Sequence, residues 1–312
     1  MCTAVSNKRK YHLFGRTLDV ERDYGQAAVV TPRKIAFDFI YGGRISEHPA
    51  LVGAAIVKGG VPLYFDAMNE HGLAIAALNF PRSAVYREHR SGKSNLASFE
   101  LIPWVLCSCR CVEDAAELLA DVNVTQDSFD GDLRATPMHW MISDRDRSIV
   151  AEPLESGLMI YENSVGVLTN EPRFDEQLRM LDSDLSAAKS FGRGVTERFS
   201  GDFSSRSRFV RAAVINRKAY ADGSPNGEIS RFFRVMDSVS SPCGCAVSED
   251  GREIFTHYTS CVDTGERVYY FSTHTNRRIR AVRLDESACC ADRLLIYSMH
   301  GDGDIDFMQH NE

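Results

Sequence analysis

Met1-Cys2-Thr3 places a thiol directly behind the initiator methionine. Removal of Met1 leaves a sulfur and a free α-amine on one residue. The thiolate is the nucleophilic form of cysteine. An α-amine with an ordinary pKa of about 7.7–8.0 can take the thiol proton near neutral pH. One residue then supplies nucleophile and base. Opening an amide also needs donors for the tetrahedral oxygen and charges that hold the groups in place. Phe14-Gly15-Arg16-Thr17-Leu18-Asp19 brings a cation and an anion together. Arg16, permanently charged, favours a thiolate beside it. Asn79, before Phe80-Pro81, and Asn170, before Glu171-Pro172, carry neutral amides that donate without a charge to desolvate. Ser207-Arg208-Phe209-Val210-Arg211 opens a helix and offers further cations, with Arg206 just before it.

Segments this far apart in the chain need a sizeable scaffold to meet. With 312 residues, 44% of them hydrophobic, the chain can bury one large core or two modest ones. The apolar pattern alternates between strand and helix blocks and predicts strands at 2–5, 13–16, 27–31, 51–57, 63–68 and 73–80, with Gly59-Gly60 and His71-Gly72 at tight connections. Helical spacing follows at 98–106, where Pro103 is expected to bend or split the helix, and at 112–122. Strands are expected again at 138–143, 148–153, 158–161 and 165–169, helices at 174–182, 207–219 and 228–239, and strands at 253–261, 268–273 and 278–284. Two sheets packed together, with helices outside each, would cover strands of this kind. No composition break divides 1–312, so one domain is expected. The polar segment 181–207 reads as an exposed loop or an oligomer contact.

Net charge is -7, and no basic stripe with interleaved aromatics occurs, which argues against nucleic acid. Arg277-Arg278-Ile279-Arg280 reads as the solvated face of a late strand. No apolar run approaches the ~18 residues of a membrane span. A cytoplasmic enzyme is expected, with its nine cysteines mostly reduced. Cys107, Cys109 and Cys111, and Cys243 with Cys245, invite a metal but lack the paired C-x₂-C spacing of zinc sites. His71, His139, His257 and His274 stand singly and read as structural, Glu70 as a turn residue, and 144–147 as a charged hairpin loop.

Taken in order along nearly the whole chain, Cys2 and the four segments around Arg16 and Asp19, Asn79, Asn170 and Arg208 resemble the choloylglycine hydrolase family. These are N-terminal-nucleophile amidases that include bile salt hydrolases and penicillin V acylases. The resemblance implies an α+β fold: a four-layer αββα sandwich of two antiparallel sheets flanked by helices. It implies that Arg16 lies by the nucleophile and that Asp19 hydrogen-bonds the α-amine. Asn79 and Asn170 would stabilise the tetrahedral oxygen, Asn79 with help from its backbone N–H. Arg208 would be the second site arginine. No metal or cofactor is implied. The expected substrate is a small amphipathic acyl amide, a glycine- or taurine-conjugated bile salt. Val20, Tyr24, Phe65 and Phe129 are candidates for the apolar pocket it needs. Asn79 favours the bile salt branch, since penicillin V acylases often carry tyrosine there. Penicillin V or an acyl-homoserine lactone is the alternative substrate, and a non-catalytic thiol or metal protein the alternative class. Val20 departs from the bulkier residue common in relatives, and Arg82 from the usual glycine. The segment 175–207 is shorter than the one that helps build a tetramer in some relatives. A homo-oligomer, dimer or tetramer, is expected.

Overall fold

The computed structural model describes residues 1–190, 200–248, 251–301 and 303 of the chain. Two antiparallel sheets form its centre. One has six strands in the order Val167–Leu168, Cys2–Lys8, His12–Val20, Phe255–Asp263, Val268–Thr273, Arg280–Arg283. The other has eight, in the order Gly157–Glu162, Ser148–Leu154, Met138–Ser143, Ala74–Asn79, Val61–Asn69, Leu51–Lys58, Ala27–Thr31, Leu295–Ser298. The six-stranded sheet carries the helices Ser205–Lys218 and Pro225–Asp237 on its outside, and Phe174–Ser190 packs on the first of these. Leu101–Ser108 and Val112–Leu119 cover the eight-stranded sheet. The architecture is the expected αββα sandwich.

Period-two alternation explains why these strands are apolar on both faces. Along Ala74–Asn79, Ala74, Ala76 and Leu78 enter the cluster that holds Cys2, Ala4 and Phe209, while Ile75 and Ala77 enter the one beneath Leu101, Val105 and Val112.

Several local expectations are corrected. Leu101–Ser108 runs unbroken through Pro103, which sits in the first turn, where a missing N–H has no intrahelical partner to lose. The helix expected at 112–122 ends at Leu119, and Val122–Thr125 pairs in parallel with Ser94–Ala97. The helix from Phe174 continues to Ser190 because Leu178, Leu181 and Leu185 keep reaching the core. The expected loop at 181–207 therefore begins as helix, and 191–199 lie outside the described residues. The strand expected at 165–169 shrinks to Val167–Leu168. The late strand starts only at Arg280, and Arg277 pairs with Asp237. The hairpin Phe37–Phe39/Gly43–Ile45, the short helix Glu286–Cys289 and the edge strand Leu295–Ser298 have too few periodic residues to be read from sequence.

Two register shifts matter for the site. Ala54 faces Asp66 and Ala55 faces Tyr64, which leaves Phe65 as an extra, bulged residue. Asp19 faces Thr256 and Leu18 faces Tyr258, which does the same to His257.

Candidate active site

Cys2 heads a strand that pairs with His12–Val20, where Ala4 lies opposite Arg16 and Cys2 opposite Leu18. Cys2 and Arg16 are thus diagonal neighbours on one face, within reach of a long side chain. Both are buried, at 3% and 1% exposure. Arg16 Nη2 lies 2.6 Å from the Cys2 sulfur. Its Nε donates to the Thr17 carbonyl at 3.1 Å and its Nη1 to the carbonyls of Ala77 and Phe65. The bulge supplies the second of these, because Phe65 has no strand partner to use its carbonyl. Burial alone would weaken the Arg16 cation, but Cys2, Tyr258, Asp66 and Asp19 around it hold its pKa above the ordinary value.

Asn170 follows the short strand Val167–Leu168, whose pairing with Ala4 and Val5 brings it to the same end of the sheet. Its Oδ1 accepts from the Cys2 backbone nitrogen at 2.7 Å and from Arg208 Nη2 at 2.8 Å, and its Nδ2 donates to the Asn79 carbonyl at 2.8 Å. Arg208, buried in the first turns of Ser205–Lys218, also donates to the Cys2 carbonyl, to Thr3 Oγ1 at 2.7 Å and to the Phe203 carbonyl at 2.9 Å. Ser204 caps that helix by accepting from the Ser207 N–H, which fixes its start beside the site. Burial pushes the Arg208 pKa down, against the opposing pull of Asp19 and Cys2.

Arg16, Arg208 and Asn170 thus meet around Cys2. Asp19 and Asn79 make other contacts while Met1 is in place. The Asp19 carboxylate accepts from the hydroxyls of Thr17 at 3.1 Å and Thr256 at 2.6 Å, and its carbonyl takes the Met1 amine at 2.7 Å. The Cys2 nitrogen, still in a peptide bond to Met1, belongs to Asn170. Asn79 ends its strand with an exposed side chain, and its carbonyl is an acceptor. Of the pocket candidates, Tyr24 and Phe65 touch, with ring centroids 6.1 Å apart, and half-buried Val20 closes the strand that holds Arg16. Phe129 instead packs edge-on against Phe99 at 5.5 Å. A cavity of about 990 Å³ lies at the opposite end of the first strand, by Lys8 and Asn216, and none of Cys2, Arg16, Asn170 and Arg208 lines it.

Asp66 was missed. It is buried and accepts from Tyr258, from Ser260 at 2.9 Å and from Tyr269 at 2.9 Å, and burial raises its pKa despite Arg16 nearby. The available signal was a lone carboxylate inside the apolar run Leu63-Tyr64-Phe65-Asp66-Ala67-Met68. Burial pushes the Cys109 thiol up to about 12 and the Cys107 thiol also upward. Among the described residues no three His, Cys, Asp or Glu side chains cluster as a metal site.

A sandwich of two antiparallel sheets between helices, with a thiol heading a central strand, defines an N-terminal-nucleophile type of hydrolase. The family profile described as linear amide C–N hydrolases, choloylglycine hydrolase family, matches residues 2–297. The chain is 36% identical to a bile salt hydrolase/transferase of Lactiplantibacillus plantarum over 97% of this chain and 98% of that one. It is 32% identical to a conjugated bile acid hydrolase of Lactobacillus gasseri over 95% and 100%. Its fold superposes with a TM-score of 0.89 on the crystal structure of a mutant conjugated bile acid hydrolase from Clostridium perfringens, at 26% identity over 99% and 100% of the two chains. The chain belongs to the choloylglycine hydrolase family of linear amide C–N hydrolases.

Proposed function

We propose that this chain, once Met1 is removed, hydrolyses the amide of glycine- or taurine-conjugated bile salts to the free bile acid and the amino acid. The names of its near-full-length relatives support that substrate. The observation that carries the reading is the double hold on one residue: Arg16 Nη2 stands 2.6 Å from the Cys2 sulfur while Asn170 Oδ1 stands 2.7 Å from the Cys2 nitrogen. Once the amine is free, sulfur and nitrogen of this one residue can share a proton.

In this mechanism the sulfur attacks the carbonyl carbon and its proton passes to the freed α-amine, which Asp19 and Asn170 hold. The tetrahedral oxygen accepts from the Asn79 amide, which is exposed at the end of its strand. Collapse breaks the C–N bond, and the ammonium returns the proton to the leaving nitrogen of glycine or taurine. Water, deprotonated by the same amine, then cleaves the thioester. Arg16 faces the sulfur's charge, and Arg208 braces Asn170 and the Cys2 carbonyl. Val20, Tyr24 and Phe65 line the apolar side of the pocket. The mature chain acts as one domain, in a cytoplasmic homo-oligomer, dimer or tetramer.

Incubation with glycocholate and taurocholate is the test. Release of glycine or taurine, with intact mass showing loss of Met1 and a transient acyl adduct on Cys2, is the expected result. No amino acid from either conjugate, alongside turnover of a phenoxyacetyl or long-chain acyl amide, would overturn the substrate assignment.

A further inference from the structure

Three buried side chains that take no part in the mechanism above end on the backbone that carries Asn170. The chain leaves its strand at Leu168 and enters a helix at Phe174, so 169–173 have neither ladder nor helix to fix them. Gln177 supplies what is missing. Its Oε1 accepts from the Thr169 N–H at 3.3 Å and hydroxyl at 3.0 Å, and its Nε2 donates to the carbonyls of Asn170 at 2.8 Å and Pro172 at 2.7 Å. His139 Nε2 donates to the Thr169 carbonyl at 2.7 Å, and its Nδ1 faces Glu152 Oε1 at 3.0 Å. Glu152 in turn accepts from the Phe174 N–H at 3.0 and 3.2 Å. The side chains of His139 and Glu152 are both 0% exposed. Both ring nitrogens of His139 thus face oxygen atoms of fixed groups. The His139 ring also lies flat on Phe80, with centroids 4.2 Å apart and 8° between planes. Phe80 follows Asn79, whose carbonyl receives Asn170 Nδ2.

We infer that Gln177 and the His139–Glu152 pair form a clamp that aims the Asn170 side chain at the nitrogen of Cys2. They are positioning residues, and the kinetic consequence rests on the amidase reading above. Asn170 Oδ1 serves Cys2 and Arg208 at once, which leaves it little latitude, and a misplacement of about 1 Å in such a site costs roughly 100-fold in rate. A part that served only folding would change stability and leave turnover of the folded protein alone.

Gln177→Glu keeps the shape but sets an oxygen against the carbonyls of Asn170 and Pro172. It is expected to lower kcat on glycocholate about 10- to 100-fold with KM within about twofold, in protein that still melts cooperatively. Should that variant fail to fold, Glu152→Gln, which keeps the shape and sets an amide N–H₂ where one of two acceptor oxygens stood, is expected to act in the same direction. Unchanged kcat in the folded variant, or a loss confined to KM, overturns the inference. Alkylation of Cys2 by iodoacetamide reads the clamp without a bile salt, so the inference stays testable if the substrate assignment fails. A labelling rate changed beyond about threefold from the unsubstituted protein supports the clamp, and an unchanged rate sinks it.

Discussion

Two arginines, each 1% exposed, flank one cysteine, and their surroundings differ. Arg16 has sulfur, one phenol and two carboxyl groups near it, while Arg208 faces mainly backbone and amide oxygens. The first is suited to meet charge on sulfur and the second to hold neutral groups in place. Cys2→Ser is therefore expected to keep the fold and lose nearly all turnover, since a hydroxyl ionises far less readily than a thiol; melting curves beside initial rates check both halves. Asn79 allows a cleaner separation, because its side chain is exposed at the end of its strand. Asn79→Ala is expected to cut kcat about 100- to 1,000-fold, the usual cost of one oxyanion donor, with an unchanged melting temperature. Asn170→Ala is expected to lower both, because its amide bridges Cys2, Arg208 and Asn79.

Strand pairing, rather than loops, delivers most of this geometry. The antiparallel register sets Arg16 diagonal to Cys2, and the bulge at Phe65 frees the carbonyl that steadies the guanidinium. The neighbouring Gly15 lies where the next strand crosses closely: a Cβ there would run into the Ser260 carbonyl. Gly15→Ala is expected to cost about 1–3 kcal/mol, and more if the strand cannot yield, in a chemical denaturation experiment. Activity should fall with it, since Arg16 is the next residue. The strands themselves were legible as short apolar runs between turn residues, because both of their faces are covered by apolar layers. The bulges were not legible, since an extra residue leaves no mark on a pattern that is apolar on both sides.

Between the sheets, away from Cys2, the core holds a polar knot: His12 Nδ1 meets Thr264 Oγ1 at 2.9 Å, and its Nε2 meets Ser143 Oγ at 3.0 Å and Ser6 Oγ at 3.2 Å. Burial, with Lys8 nearby, depresses its pKa to about 3. A histidine that the folded state keeps neutral binds fewer protons than in the unfolded chain. Its contribution is thus fully present above its unfolded pKa of about 6.5 and is lost as pH falls from there toward 3. Buried carboxyls such as Asp66, with raised pKa, work in the opposite sense, so the comparison must be differential. Between pH 6.5 and 4.5 the native protein is expected to lose up to about 1.4 kcal/mol per pH unit relative to His12→Asn, measured by denaturation at each pH. Parallel pH profiles for the two proteins would refute the assignment. The ordered motifs along the chain, through their resemblance to a known family, were enough to put forward Cys2, Arg16, Asp19, Asn79, Asn170 and Arg208 as candidates and to imply the layered fold, while the strands and the thiol, guanidinium and amide chemistry could be read locally. Which partner each of them takes was not legible: the Asn170 oxygen on the Cys2 nitrogen, the Asn170 amide on the Asn79 carbonyl, and the buried His139 and Gln177 that hold the backbone beside them. Those assignments depend on strand register and helix docking between residues far apart in the chain, where a shift of one position turns every side chain to the other face.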